Sequence, residues 1–408
     1  MNKRERNRLE TSILIICGFW HTCEEWTKVL MPFTQWTLQP KPTLFDLLSL
    51  NAFTSFCILV GTVIVAQIIE VQGLRRTAIF CTVVTSLYQI MVSKIRNFYI
   101  FTALQTLLAF SHVPMVIYSC VVHLEGEDGD DKRRTRFLNR LTIPMSIGIA
   151  IGPYFALQML FFLTSDINTS QTICGLMNLI GNVTMACLYL PDNKSQRSFQ
   201  LPQLEPYLQL VRNPKTKWCL LLLMMVIGPF SAYDQVVRIS LSAAVASDPQ
   251  QLTKLFLILG AASVVGNVWI VPFIQSRAGP QHVLMGSFLL LTASYLYLST
   301  MTSHISLFIG MPIQIVALSI CIGELSSQII STVGKHDAGK VSALIRMSHM
   351  LAMVMVPLLT GYYVERDETS ILCYVSAVVS LAAVPILNKF CVFMKAHAAS
   401  LPISGKLD

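Results

Sequence analysis

Charge is missing over stretches so long that only one kind of fold can hold them. No Asp, Glu, Lys or Arg occurs between Asp46 and Glu70, between Arg140 and Asp166, between Asp166 and Asp192, or in the double-length run from Arg277 to Glu324. About 20 apolar residues in a helix cross the ~30 Å hydrocarbon core of a bilayer, so each run supplies at least one crossing. Over the 408 residues, 53% are hydrophobic and only 13% charged, against roughly 45–50% and 25% in soluble domains. A soluble globular fold is excluded. The apolar runs fall near 11–33, 47–70, 77–95, 98–122, 141–164, 171–190, 217–245, 252–276, 281–302, 305–333, 344–364 and 370–392. They are continuous, with neither alternation nor heptads, and predict an all-α polytopic membrane protein of twelve transmembrane helices.

The formal net charge of +8 would suit a nucleic-acid partner, but the basic residues cluster in short connections between apolar runs, as membrane topology requires. No nucleic acid is expected. Assigning alternate loops to alternate sides puts 23 of the 30 Lys and Arg on one side and 7 on the other. The richer side holds both ends of the chain, Arg75, Arg76, the 132–140 cluster, Arg277 and the Lys335–Arg346 region, so both termini are expected in the cytosol, at a plasma membrane or an endomembrane. Residues 1–10 lack the apolar core and cleavage site of a signal peptide and read as a cytosolic tail, with 394–408 a second. The charged run Glu125 to Arg140 reads as a solvated cytosolic loop. Asn168-Thr169-Ser170 is a glycosylation sequon on the opposite side; Asn182 and Asn193 fall in a span and a cytosolic loop. The 11 cysteines are scattered through apolar runs without a C-x-x-C pair, so no disulfide framework, metal site or cofactor is signalled.

Residues 191–216 form the longest cytosolic connection, polar and Pro-containing, and read as a linker between six-helix bundles at 11–190 and 217–393. The halves repeat: Gly73 and Gly279 are 206 residues apart, Pro153 and Pro357 are 204 apart. A parallel repeat of six spans is the architecture of transporters that rock one bundle against the other around a central site. Between the second and third spans stands Ala66-x-x-x-Glu70-Val71-Gln72-Gly73-Leu74-Arg75, and the fifth span carries Gly148-x-x-x-Gly152-Pro153-x-x-Ala156. In the tenth-to-eleventh region, Gly339-Lys340-Val341-Ser342-Ala343-Leu344 is followed by Val356-Pro357-Leu358-Leu359-Thr360-Gly361-Tyr362.

These motifs, over nearly the whole chain, resemble the major facilitator superfamily, in particular its tetracycline-resistance-type drug/proton antiporters and the animal organic-cation-transporter-like orphan solute carriers. The resemblance implies the major facilitator fold, alternating access and a solute carried without a cofactor. It gives Glu70, Gly73 and Arg75, with Arg277 and Gly279 in the second half, the part of a conformational latch, and Gly148, Gly152, Pro153 and Pro357 that of packing and bending elements. An ordinary basic loop and plain helix packing are the alternatives. The fourth-span arginine that members of that family use in proton coupling has no counterpart in Ala103-Leu104-Gln105-Thr106-Leu107, which leaves facilitated transport and other ion coupling open.

Charge inside a span costs several kcal/mol unless it meets a partner or a wet cavity. The first span carries Glu24, Glu25 and Lys28, and the seventh carries Asp234 and Arg238; Glu24/Lys28 and Asp234/Arg238 share the i, i+4 spacing of one helix face. They read as a gate or a binding surface for a charged or zwitterionic solute, with static ion pairs as the alternative. Trp20 and Trp26 flank the first cluster, where they could stack a cation or anchor at the interface. Glu324 in the tenth span is a proton-carrying or cation-contacting acid, or a hydrogen-bonded structural one. His112 and His349 read as satisfied polar groups rather than relays. No H-E-x-x-H, G-x-S-x-G or Walker A pattern is present, so neither an enzyme nor an ATP-driven pump is expected. The sequence predicts a monomeric transporter of a small organic solute, an organic cation in first place, proton-coupled or facilitative, with a transporter-fold sensor or interaction protein as the alternative.

Overall fold

Backbone amides within hydrocarbon have no water to bond, so each crossing segment satisfies its own as a helix. The computed structural model describes residues 3–124, 131–160, 166–190, 205–245, 249–300, 307–330, 338–365 and 369–400. Within them lie α1 (Lys3–Gln35), α2 (Leu44–Gln72), α3 (Leu74–Val92), α4 (Phe98–Leu104), a 3₁₀ segment (Gln105–Phe110), α5 (Val113–Leu124), α6 (Asp131–Gln158) and α7 (Ile167–Tyr189). The short α8 (Glu205–Arg212) precedes α9 (Pro214–Val245), α10 (Pro249–Val265), a π turn (Gly266–Ile270), α11 (Val271–Arg277), α12 (Pro280–Ser299), α13 (Leu307–Ile330), α14 (Ala338–Glu365) and α15 (Thr369–Ser400). Among the described residues the only β pairing is an isolated bridge between Gln39 and Asn97.

Taking α4 with α5 and α10 with α11 as single interrupted crossings gives twelve spans. Ten are long and apolar enough to cross a membrane by length and composition alone. The other two are α1, which carries Glu24, Glu25 and Lys28, and α3, which opens on Arg75 and Arg76. The run from Glu125 to Arg140 differs from the loop expected of it: from Asp131 onward it is the first turns of α6, and Phe137 anchors them in the core beside Leu141, Val116 and Cys120. Residues 125–130 lie outside the described residues. The eleventh crossing, α14, likewise begins at Ala338, several residues earlier than its apolar run.

In the first half α1 packs on α6 and α7, and α3 on α7; in the second, α12 packs on α13 and α15, and α9 on α13 and α15. The halves meet along α2 against α14 and α6 against α10. One core cluster crosses that boundary, joining Trp26, Leu30 and Leu157 to Leu223, Leu259 and Phe288. All 11 cysteines are free thiols.

Candidate functional site

The site grows from one charged turn of α1. Lys28 Nζ lies 3.0 Å from Glu24 Oε1 and 2.7 Å from Glu25 Oε1, and His21 Nδ1 lies 3.3 Å from Glu24 Oε2. One ammonium therefore bridges two intramembrane carboxylates. Glu25 is 7% exposed, whereas the Glu24 and Lys28 side chains keep 29% and 42% exposure. That exposure does not face lipid. The lipid-facing side of α1 is marked by Ile15 and Phe19, and at about 100° per residue Glu24 stands roughly 140–180° around the helix from them.

Gly148 and Gly152 hold this turn in place. A Cβ on Gly148 would sit 2.7 Å from His21 Cβ, and one on Gly152 would sit 2.9 Å from Trp26 N. Only hydrogen side chains let the α6 backbone come this near. The other face of α6 meets the second half: Ser146 Oγ and Ser263 Oγ of α10 are 2.6 Å apart, Asn267 Nδ2 donates to Ser146 Oγ at 3.3 Å, and Gly260 abuts Ala150. One helix thus braces the charged turn and forms half of the boundary.

A second intramembrane charge, Arg346, is carried by α14. It lies within electrostatic reach of Glu24 and of Tyr118 on α5, and its charge also reaches His112 and His349. The outward face of α14 carries Leu351, Met355, Leu358 and Leu359, from which Arg346 is rotated by about 120–180°. Among the described residues no side chain is within ion-pair distance of Arg346. One turn further on, His349 has a buried Nε2 without a partner among the described residues. The sequence grouped Arg346 with the basic stretch before the eleventh span. The signal that places it inside is its register opposite Leu351 and Met355.

Several candidates stand elsewhere. Trp20 and Trp26 are each 2% exposed, so neither faces a solute or the interface; Trp26 Nε1 donates to Ser170 Oγ at 3.1 Å and its ring stacks on Phe155 at 6.0 Å. Glu324 accepts from Gln275 Nε2 at 3.1 Å, tying α13 to α11, and is apart from the α1 turn. The side chains of Asp234 and Arg238, on α9, lie outside the described residues. Arg75 donates from Nε to the Leu190 carbonyl at 2.6 Å, satisfying the carboxyl end of α7. Glu70 lies in electrostatic reach of Tyr207 on α8, whose hydroxyl is pushed up to about 12 by burial first and by that carboxylate second. Arg277 stacks over Phe273 at 4.2 Å, and Pro357 lies within α14. Asn168 is in the first turn of α7, and its amide nitrogen, the atom a glycan would join, donates to Asp166 Oδ1 at 3.2 Å. No cluster of three or more metal-ligating side chains occurs among the described residues.

The Major Facilitator Superfamily family model matches residues 17–357. Among solved structures the chain is similar to the human organic anion transporter MFSD10 (TETRAN), with TM-score 0.74 and 16% identity over 95% of this chain and 100% of that one. It is similar also to FucP, a Major Facilitator Superfamily transporter in the outward conformation, with TM-score 0.67 and 16% identity over 93% of this chain and 98% of that one. A further structure of FucP, described as the E. coli fucose:proton symporter, gives TM-score 0.63 and 15% identity over 93% and 98%. At these identities the likeness is one of fold. No match occurs among curated proteins. A family model spanning most of the chain places it in the Major Facilitator Superfamily, as a multi-pass integral membrane transporter.

Proposed function

We propose that the chain carries a small charged organic solute across the membrane by alternating access, as a monomer with both termini in the cytosol. The solute binds between the halves, on the surface formed by His21, Glu24 and Lys28 of α1 and Arg346 and His349 of α14. What supports this reading is that Glu24 and Arg346, opposite charges from different halves, lie within electrostatic reach of one another, each on the side of its helix away from the exposed apolar residues. Such a pair is sensitive to any relative movement of the halves, and intramembrane charge without a function is costly.

A cationic group would be taken by Glu24. Because Glu24 and Glu25 already share Lys28, the less committed charge is Arg346, which would take an anionic group. The site therefore suits a zwitterion, or an organic cation bearing a carboxylate. MFSD10, similar in fold, is described as an organic anion transporter, which agrees with a cationic contact in the solute path. Glu324 is proposed as the coupling acid, held among amides rather than cations. Within the fourth-span stretch that has no arginine, Gln105 Oε1 accepts from Tyr88 at 3.0 Å.

The test is flux by purified protein in liposomes, using labelled organic cations, anions and zwitterions with and without a pH gradient. Glu24→Gln and Arg346→Gln are each expected to cut zwitterion flux at least tenfold with the yield of folded protein unchanged, and Glu324→Gln to remove only the response to the gradient. Wild-type flux in both of the first two variants would overturn the site. Saturable binding without flux in the unaltered protein would favour the sensor reading.

A further inference from the structure

On the lipid-facing surface of the first half, α1 and α7 line two open clefts, one after the other along the two helices. The first, of about 400 Å³, lies at the carboxyl end of α7 and is lined by Asn7, Arg8, Thr11 and Ser12 of α1 and Met185 and Tyr189 of α7. The second, of about 360 Å³, lies deeper and is lined by Phe19, Met177, Ile180 and Gly181 among other apolar groups. Arg8 to Phe19 is eleven residues, about 16 Å of helix, close to half of the ~30 Å hydrocarbon core. The groove thus has a polar mouth at the membrane boundary and an apolar floor the depth of one leaflet.

The mouth is built around Arg8. Its guanidinium lies 5.7 Å from the centre of the Tyr189 ring, within cation–π reach, a contact that leaves its N–H groups to other acceptors. Among the described residues Arg8 has no hydrogen-bond or ion-pair partner for those donors. Its neighbour Arg6 is different: it points about 200° away around the helix and is held by Glu10 at 3.1 Å. The Thr11 hydroxyl donates to the carbonyl of Asn7 at 2.9 Å, which leaves its exposed oxygen to accept from a glycerol or headgroup hydroxyl, while Ser12, 3% exposed, donates to the Arg8 carbonyl at 2.7 Å and closes the base of the mouth. Beyond the mouth, Phe19 is 37% and Ile180 65% exposed.

We infer that this groove is a binding site for an anionic phospholipid, its phosphate on Arg8 and Asn7 and one acyl chain laid along Ile15, Phe19 and Ile180. The assignment is independent of the transported solute and of the site between the halves. A free phosphate would use the mouth alone, and an annular lipid without headgroup preference would use the floor alone; the two clefts in line favour a ligand with both parts. A cation at the mouth of a cleft between transmembrane helices attracts acidic headgroups, by about 1 kcal/mol, roughly fivefold in affinity, for one basic residue.

The experiment is native mass spectrometry of the full-length purified protein titrated with dioleoyl phosphatidylglycerol, its dihexanoyl analogue, dioleoyl phosphatidylcholine and inorganic phosphate. Preferential retention of dioleoyl phosphatidylglycerol is expected, weakened roughly fivefold by Arg8→Gln, the worth of one basic residue at an anionic surface. Arg6→Gln, which removes the same charge from the other side of the helix, is expected to change nothing, and Arg8→Lys to keep most of the preference. Monodispersity in gel filtration separates loss of lipid from loss of fold. Equal retention of phosphatidylcholine, or equal effects of the Arg6 and Arg8 variants, would overturn the proposal. Displacement of the lipid by millimolar inorganic phosphate, or equal binding of the dihexanoyl form, would replace the lipid site with a simple anion site.

Discussion

Gly73 and Gly279 stand at matching places in the two halves, yet the backbone asks different things of them. Gly73 has φ 80° and ψ 173°, a region open essentially to glycine alone. Gly279 has φ −67° and ψ 158°, and a Cβ there would meet nothing within 4 Å. Gly73→Ala is expected to cost about 1–3 kcal/mol, while Gly279→Ala is neutral or stabilising by about 0.4–1 kcal/mol; thermal unfolding in detergent distinguishes them. The repeat spacing showed that the two glycines correspond, but spacing carries no dihedral angle. Lys28 is a second case. It neutralises two carboxylates, so Lys28→Met should lower stability by several kcal/mol, and Glu25→Gln added to it should restore part of that loss. The i, i+4 pairing of Lys28 with Glu24 was legible in the sequence. The additional contact to Glu25 follows from the i, i+3 spacing on the same helix, whereas the approach of Arg346 depends on helix rotation and on a partner more than 300 residues away.

At the scale of elements, hydrogen bonds bind α1, α3 and α7 into a seam that no motif announced. Gln89 Nε2 donates to Thr27 Oγ1 at 3.2 Å, Gln171 Nε2 donates to the same oxygen at 2.8 Å, and Asn178 Nδ2 donates to Gln89 Oε1 at 2.9 Å. Interhelical bonds of this kind contribute about 0.6–1.7 kcal/mol each. The apolar runs gave the helices, but not which polar side chains would meet between them. The amino end of α7 is capped by Asp166, which accepts from the Thr169 amide at 2.9 Å and from its hydroxyl at 2.7 Å. Those donors hold its carboxyl below the ordinary range, the Thr169 side chain contributing most. Its folded value being lowered, its stabilisation is present above the unfolded carboxylate value and is lost as pH falls through the folded one. Asp166→Ala should therefore cost about 1 kcal/mol at neutral pH, with the difference from the unaltered protein narrowing on acidification below about pH 4. The boundary helices offer a further check. With Ser146 Oγ and Ser263 Oγ 2.6 Å apart, cysteines at both positions should cross-link α6 to α10 and arrest transport until reductant is added.

For the whole molecule, the twelve crossings and the family were legible because hydrocarbon leaves the backbone little choice and because the motif residues lie in sequence order. The proposed solute surface was less so, because it draws on residues of both halves and its α14 part was grouped with a basic stretch. The charge asymmetry of 23 against 7 Lys and Arg predicts both termini on the cytosolic side; tags at either end should be cleaved by protease only after the cytosolic face is opened. Residues 191–216 read as a tether, but α8 within them carries Tyr207, buried at 8% exposure against Ala66 and Met115 of the first half and Ala343 of the second. A position that belongs to the connection by chain order thus belongs to both halves by contact. Anyone dividing this chain into two co-expressed fragments must choose which keeps that tyrosine, since a break after residue 204 leaves the wedge on the second fragment and a break after Arg212 leaves it on the first, and either fragment prepared alone exposes one of its two seats.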